Sequence, residues 1–284
     1  MNVFMENSIW DDKDLSILIV GYDGYIDVWD IDIYLLNKYW CNRPKTYLAT
    51  SVIKPNYENV EVITAGEASE WSKKAHNALK EIKSKYVLLL LEDFFISSPV
   101  NNGLVLDSLQ LIKNNEIKFY QVLVQLINSS WEKGAPFQGN KHIKIIPQNK
   151  KYPLNLQAAI WDRDFLLETI GEGNYNAWQF EIKQIAINNL NVNKIEYLID
   201  DRNILNIEHT IVQSKYLRAP LKRLLKKEPQ IDISGRERLS IKDDFKYRFK
   251  LLMYSLTPNC LVKPFKKVGR WLNVDFVTDR VMKN

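Results

Sequence analysis

Two adjacent carboxylates, Glu92 and Asp93, stand at the end of the longest uninterrupted apolar run of the chain, Tyr86 to Leu91. Acids are expensive inside a fold, so this pair belongs where a buried strand emerges, at the edge where open α/β sheets bind ligands. Neighbouring side chains of an extended strand point to opposite faces. Both can serve one cation only if the chain turns there; otherwise one holds metal and the other orients loop amides. Oxygen donors of this type suit Mg2+ or Mn2+ carrying a diphosphate. A solvated strand end is the competing reading.

The stretch Gly21-Tyr22-Asp23-Gly24-Tyr25 follows a second apolar run, Leu15 to Val20. Its glycines permit a tight loop, Tyr22 and Tyr25 offer stacking faces for a base, and Asp23 can accept from ribose hydroxyls or a base N–H. A turn with a buried tyrosine is the alternative. Thr50 and Ser51, ending the next strand, are further candidates for the base. Trp71 and Lys73 begin an amphipathic stretch, where free helix N–H groups favour phosphates; Lys73 reads equally well as a solvated helix residue.

Glu181 closes the stretch Asn176 to Glu181, just after Gly171-Glu172-Gly173. Beside Trp178 and Phe180 its pKa would be raised by desolvation, which suits a general base for an acceptor hydroxyl. A first-turn acid complementing the helix dipole is the other reading. Of the three histidines, His76 lies inside the amphipathic stretch and reads as a structural residue, and His142 stands in a loop-rich region that could line an acceptor side. His209 comes late in the chain. No His-x-x-x-His, Cys-x-x-Cys or Walker A pattern is present, so zinc hydrolase and P-loop chemistry have no support. Cys41 and Cys260 are treated as structural.

The elements that must position these residues follow from periodicity. Leu15–Val20, Lys45–Ala49, Val60–Thr64, Tyr86–Leu91, Phe119–Ile127, His142–Ile146, Asn155–Trp161 and Ile195–Ile199 read as strands. Asp27–Trp40, Lys73–Lys83 (with Ser69 as N-cap), Gly103–Asn114, Asp164–Thr169 and Trp178–Asn188 read as helices. Their alternation is that of an α/β protein.

The 284 residues are 46% hydrophobic and 26% charged, which excludes a mainly disordered chain. The net charge of +5 is unevenly spread. Residues 211–284 hold 18 Lys and Arg against 7 Asp and Glu, a net of +11, and residues 1–210 carry a net of −6. Tyr216 to Lys227, Phe245 to Leu252 and Cys260 to Trp271 interleave apolar residues with cations. That mixture suits either an anionic membrane surface or helices packing their leucines on the body. Nucleic acid ranks behind both, since no recognition motif accompanies the charge. No run approaches the roughly 20 apolar residues of a membrane span, and no leader is evident, so the expectation is a cytoplasmic protein, peripheral at the inner membrane face.

Residues 86–95, Tyr-Val-Leu-Leu-Leu-Leu-Glu-Asp-Phe-Phe, with Glu70-Trp71-Ser72-Lys73 and Leu156-Gln157-Ala158-Ala159-Ile160-Trp161, resemble bacterial GT-A-type glycosyltransferases of capsule and lipopolysaccharide synthesis. The resemblance covers residues 15 to about 200. It implies a GT-A-like, Rossmann-type mixed sheet flanked by helices over residues 1–210, followed by a basic, mainly helical extension over 211–284. It implies a nucleotide-sugar donor at Gly21, Tyr22, Asp23, Tyr25, Ser51, Trp71, Lys73, Glu92, Asp93 and Gln157. Glu92, Asp93 and His209 would hold Mg2+ or Mn2+, although Glu92-Asp93-Phe94 departs from the family's Asp-x-Asp. Glu181 would be the base of an inverting transfer to a glycan acceptor, a lipid-linked one being usual. A nucleotidyltransferase or a polyanion-binding scaffold are the rivals; the former would ordinarily carry a cation in its first loop, and Gly21–Tyr25 has none.

Overall fold

The computed structural model describes residues 9–122, 134–147, 153–188 and 196–256. Strands β1 (Leu15–Val20), β2 (Thr46–Thr50), β3 (Glu61–Thr64) and β4 (Tyr86–Leu90) run parallel in the order β3-β2-β1-β4. Short β5 (Phe94–Ile96) leaves the sheet. The sheet continues with β6 (Phe119–Gln121), the hairpin of β7 (Pro136–Phe137) and β8 (Asn140–Ile145), β9 (Ala159–Asp162) and β10 (Tyr197–Asp200). The full order is β3-β2-β1-β4-β9-β6-β10-β8-β7, with β9 antiparallel to both its neighbours. The expected mixed α/β sheet flanked by helices is therefore present.

Every residue of β1 and β4 is buried, as apolar runs covered on both faces require, Ser16 of β1 being the one polar residue among them. Alternation splits them between layers. Leu15, Ile17 and Ile19 of β1 pack with Tyr86, Leu88 and Leu90 of β4 on the face covered by α1 (Ile26–Tyr39) and α3 (Asn102–Asn114). Leu18, Val20, Val87 and Leu89 face the other layer, α2 (Trp71–Glu81), α4 (Arg163–Ile170) and α5 (Ala177–Asn188).

Some boundaries differ from the sequence reading, for local reasons. Ser69 does not cap α2: its Oγ donates to the Ala65 carbonyl at 2.9 Å. The helix start is satisfied from outside, Glu70 N donating to Asn174 Oδ1 at 2.8 Å and Ser72 N to the Tyr175 carbonyl at 3.0 Å. Residues 155–158 do not join β9, because Asn155 Oδ1 accepts from Gln157 N at 3.0 Å in a side-chain turn. Residues 123–127, the end of the strand expected from Phe119, and the basic stretch 260–271 lie outside the described residues.

The chain beyond residue 206 begins with strands rather than helices. β11 (Ile207–His209) pairs antiparallel with β5, and β12 (Ile211–Val212) forms a hairpin with β13 (Lys215–Tyr216) before α6 (Arg218–Lys227) and α7 (Ile241–Leu256). Leu221 and Leu224 of α6 pack with Ile211 and Tyr216 on Val28, Ile31 and Leu35 of α1 and on Phe95. At the end of α6, Glu228 accepts from Tyr34 Oη at 3.0 Å, Lys38 Nζ at 2.7 Å, Tyr39 Oη, and Gln230 Nε2 at 2.8 Å. Burial alone would raise this carboxyl, but its donors outweigh burial and hold its pKa down to about 2.

Glu228 is thus protonated near pH 4.5 in the unfolded chain and only near pH 2 in the folded one. Its stabilisation is complete above pH 4.5 and is lost as the pH falls toward 2. Glu228→Gln is expected to cost about 1.5–3 kcal/mol at pH 7, with the deficit shrinking below pH 4. Urea unfolding at pH 7 and pH 3 checks this; an equal deficit at both values would contradict it.

Candidate active site at the sheet edge

The C-terminal ends of β1, β2 and β4 share one edge, and the loop after β1 is built there. Gly21 N donates to the Ala49 carbonyl at 2.9 Å. A Cβ on Gly21 would lie 2.7 Å from the indole Nε1 of Trp29, so only glycine lets the loop pass this ring. The chain then makes one short helical turn, Asp23–Tyr25.

Three ionisable side chains hold that loop, two from other elements and one of its own. Glu92 Oε1 accepts from Tyr22 N at 3.1 Å. Asp23 turns toward the loop after β2, its Oδ1 accepting from Ser51 N at 2.7 Å and its Oδ2 from Val52 N and Ile53 N at 2.9 and 3.0 Å. Lys74 Nζ, from the second turn of α2, donates to the Gly21 carbonyl at 2.5 Å. Burial raises the Glu92 pKa to about 8, with Asp93 adding to the rise and its amide donors and Lys74 opposing it. Burial would raise Asp23 too, yet its three backbone donors keep it below the usual range. Burial lowers Lys74, and Glu92 and Asp23 partly restore it.

Glu92 and Asp93 lie in a turn after β4, closed by Phe94 N donating to the Leu91 carbonyl at 3.2 Å, and they take different partners. Glu92 serves the loop amide. Asp93 lies by His209 of β11, Oδ2 to Nε2 3.7 Å apart, and its Oδ1 is buried without a partner. Glu92, Asp93 and His209 are therefore not assembled as one ligand set, and among the described residues no three His, Cys, Asp or Glu side chains come together to hold a metal. Asp93 and His209 remain, an oxygen and a nitrogen donor with one orphaned carboxylate oxygen, a set that fits a divalent ion completing its shell with phosphate and water. Asp32 of α1 joins this electrostatic neighbourhood: its pKa is raised well above normal by burial, then by Glu92 and Asp93. Nothing in the sequence marked it, because it sits mid-helix among apolar residues.

Glu181 reaches the same edge. β9 pairs with β4 through Leu89 and Ala159, so three residues on from one lies Glu92 and three residues back from the other lies Leu156. Glu181 Oε1 accepts from Leu156 N at 3.0 Å, and burial raises its pKa despite that bond. Gln157 is next in line, its Oε1 accepting from Gln121 Nε2 at 3.1 Å.

Other expected residues fall elsewhere. Trp71 packs on Phe180 with ring centroids 5.2 Å apart, its Nε1 buried and unpartnered. Lys73 is exposed, and the cation that enters the site is Lys74, one position further along. The Glu70 and Ser72 amides at the start of α2 are already bonded to the loop at 174–175, so that end does not present them to phosphate. Ser51 Oγ donates to the Ser69 carbonyl at 3.2 Å. Of the residues expected to bind the nucleotide, Tyr22 offers a broadly open ring, 60% exposed.

These elements define an α/β protein whose sheet edge gathers a tyrosine-bearing loop, carboxylates and one buried cation. No protein-family model matches the chain, and no curated protein matches it. Among solved structures it is similar to S. aureus TarS residues 1–349, at 14% identity and a TM-score of 0.42, over 92% of this chain and 78% of that one. TarS 1–349 in complex with UDP gives a TM-score of 0.43 at the same identity and coverage. The 4-diphosphocytidyl-2C-methyl-D-erythritol synthase of Anaerococcus prevotii is similar at 11% identity and a TM-score of 0.42, over 77% of this chain and 100% of that one.

Lys74→Met orphans the Gly21 carbonyl and leaves Glu92 and Asp23 without their facing cation. It is expected to lower stability by about 1–3 kcal/mol, whereas Lys73→Met stays within about 0.5 kcal/mol of wild type. Parallel denaturant titrations decide this, and equal losses would remove Lys74 from the site.

Proposed function

We propose that the chain is a glycosyltransferase that moves a sugar from a nucleotide donor to a glycan acceptor. One arrangement supports the reading: the Tyr22 loop, the Asp93–His209 pair and Glu181 share one sheet edge, each fixed by a separate element. The nucleoside lies on the Gly21–Tyr25 loop against the open Tyr22 ring. The acceptor oxygen attacks the anomeric carbon while the bond from that carbon to the diphosphate oxygen breaks, and the acceptor proton passes to Glu181. Attack opposite the leaving group inverts configuration. Asp93 and His209 would hold Mg2+ or Mn2+, whose chemistry there is neutralisation of the departing diphosphate. Following the sequence resemblance, the acceptor is a lipid-linked glycan of a bacterial surface polysaccharide at the inner membrane face, with the basic residues after 210 toward anionic lipid.

A second reading, nucleotidyl transfer onto a sugar phosphate, gains one observation. The loop carries no cation of its own, yet Lys74 supplies one at Gly21. Product analysis separates the two, because only nucleotidyl transfer releases pyrophosphate.

Incubation with UDP-, GDP- and CMP-sugars, with and without Mn2+, is expected to raise the Tm for one nucleotide class, since a ligand of the folded state stabilises it by mass action. No shift with any of them would overturn the reading.

Glu181 provides a further check. Because its folded-state pKa is raised, the folded protein keeps a proton that the unfolded chain releases near pH 4.5, so this group costs stability as the pH rises above that value. Glu181→Gln is therefore expected to melt higher than wild type at pH 7.5, with the gain gone by pH 4. Transfer should fall roughly a hundredfold or more. Wild-type transfer rates in this variant would remove Glu181 as the base.

A further inference from the structure

The segment after residue 210 closes onto the candidate nucleotide loop. Arg236, its side chain 8% exposed, makes a fork to Asp27, Nη2 to Oδ1 at 2.8 Å and Nε to Oδ2 at 3.1 Å. Its Nη1 donates to the Ser214 carbonyl at 3.0 Å. The same guanidinium lies 4.0 Å from the centroid of the Tyr25 ring, within cation–π range. Gly235 makes the approach possible, since a Cβ there would lie 2.9 Å from Asp27 Cβ.

The hairpin between β12 and β13 reaches the same tyrosine. Gln213 and Ser214 both take positive φ, 51° and 60°, the two-residue turn that usually selects Asn and Gly. Two ordinary side chains in that conformation cost conformational energy. The turn sets Ser214 Oγ 2.6 Å from Tyr25 Oη. Tyr25 in turn meets Tyr22 edge to face, ring centroids 5.5 Å apart, and Tyr22 N is the amide held by Glu92.

We propose that Arg236 is a positioning residue for nucleotide binding: through Tyr25 it sets the open ring of Tyr22 on which a nucleoside base stacks. This rests on the functional reading above. The competing role is that of a staple which only fastens the extension to the body. Lysine cannot replace the fork, because a single ammonium matches neither the planar contact with Asp27 nor the stack on Tyr25.

The test uses the full chain as wild type, Arg236→Met, Arg236→Lys and Glu228→Gln, the last weakening the extension's hold on Tyr34, Lys38 and Tyr39 at the far end of α1. Affinity for UDP, GDP and CDP is measured by calorimetry, and amide hydrogen exchange is followed in the ligand-free protein. Arg236→Met should weaken the preferred nucleotide about tenfold and speed exchange at Tyr22 and Tyr25 about tenfold, with β1 unchanged; Arg236→Lys should not restore either. Glu228→Gln should lower the Tm while the folded protein keeps wild-type affinity and loop exchange. Wild-type affinity and loop exchange in Arg236→Met would overturn the inference, as would an equal loss of affinity in Glu228→Gln. Failure of wild type to bind any of the three nucleotides would overturn the functional reading instead, and the exchange rates would still decide whether Arg236 orders the loop.

Discussion

A carboxylate at the end of a buried parallel strand must find donors, and Glu92 finds one in the amide of Tyr22. That bond fixes the geometry of the edge. It ties the loop after β1 to the end of β4, and with Lys74 on the Gly21 carbonyl it leaves the loop little freedom to leave the sheet. Asp23 extends the lattice to the loop after β2 through three amides. The loop is thereby held from β4, α2 and the turn after β2, and Tyr22 can present an open ring without losing its backbone position. The turn after β4 gives Glu92 to the loop and leaves Asp93 beside His209.

The charge asymmetry of the chain takes on a structural meaning in this frame. Part of the cationic excess after residue 210 meets acidic or carbonyl partners: Arg236 on Asp27, Arg223 on Glu208, Lys227 on the Ser97 carbonyl. In return one acid of the extension, Glu228, takes Lys38 of α1. These are interactions between a basic segment and an acidic body. α1 is the element they share, with Trp29, Ile33 and Leu36 against the sheet and Val28, Ile31 and Leu35 against α6 and its neighbours. α7 differs, since Ile241, Phe245 and Phe249 are exposed on it, with the two phenyl rings stacked 6.3 Å apart.

This double burial explains which parts of the fold could be read from residues alone. The central strands were legible because burial on both faces demands unbroken apolar runs, and α2 because one buried face gives a clean three-and-four spacing. α1 read only as an imperfect helix, its apolar residues spread around much of its girth, because it is covered from two sides. Short strands such as β5 and β11 carry no periodicity of their own; they exist through pairing. In the site, Gly21, Glu92 and Asp93 were legible because each violates a local pattern at a strand end. Lys74 was missed for Lys73, since two adjacent lysines on a helix differ only in rotation, and a shift of about 100° exchanges solvent for core. Arg236 lies more than 200 residues from the loop it touches, a relation no local pattern can encode.

The edge poses one electrostatic problem that a ligand would have to meet. After burial, Glu92 and Asp93 raise the pKa of Asp32 and Asp93 raises that of Glu92, while Lys74, lowered by burial, is partly restored by Glu92 and Asp23. A nucleotide diphosphate adds negative charge to this neighbourhood. Burial resolves part of the conflict by favouring the protonated forms of Asp32 and Glu92, so the pair of acids most deeply enclosed need not repel the phosphates at neutral pH. Asp93 is the remaining acid, and its orphaned Oδ1 beside His209 is where a divalent cation would convert repulsion into attraction. An acidic edge can in this way receive an anion, provided that the proton and the cation each take one of the charges that protein donors leave unbalanced.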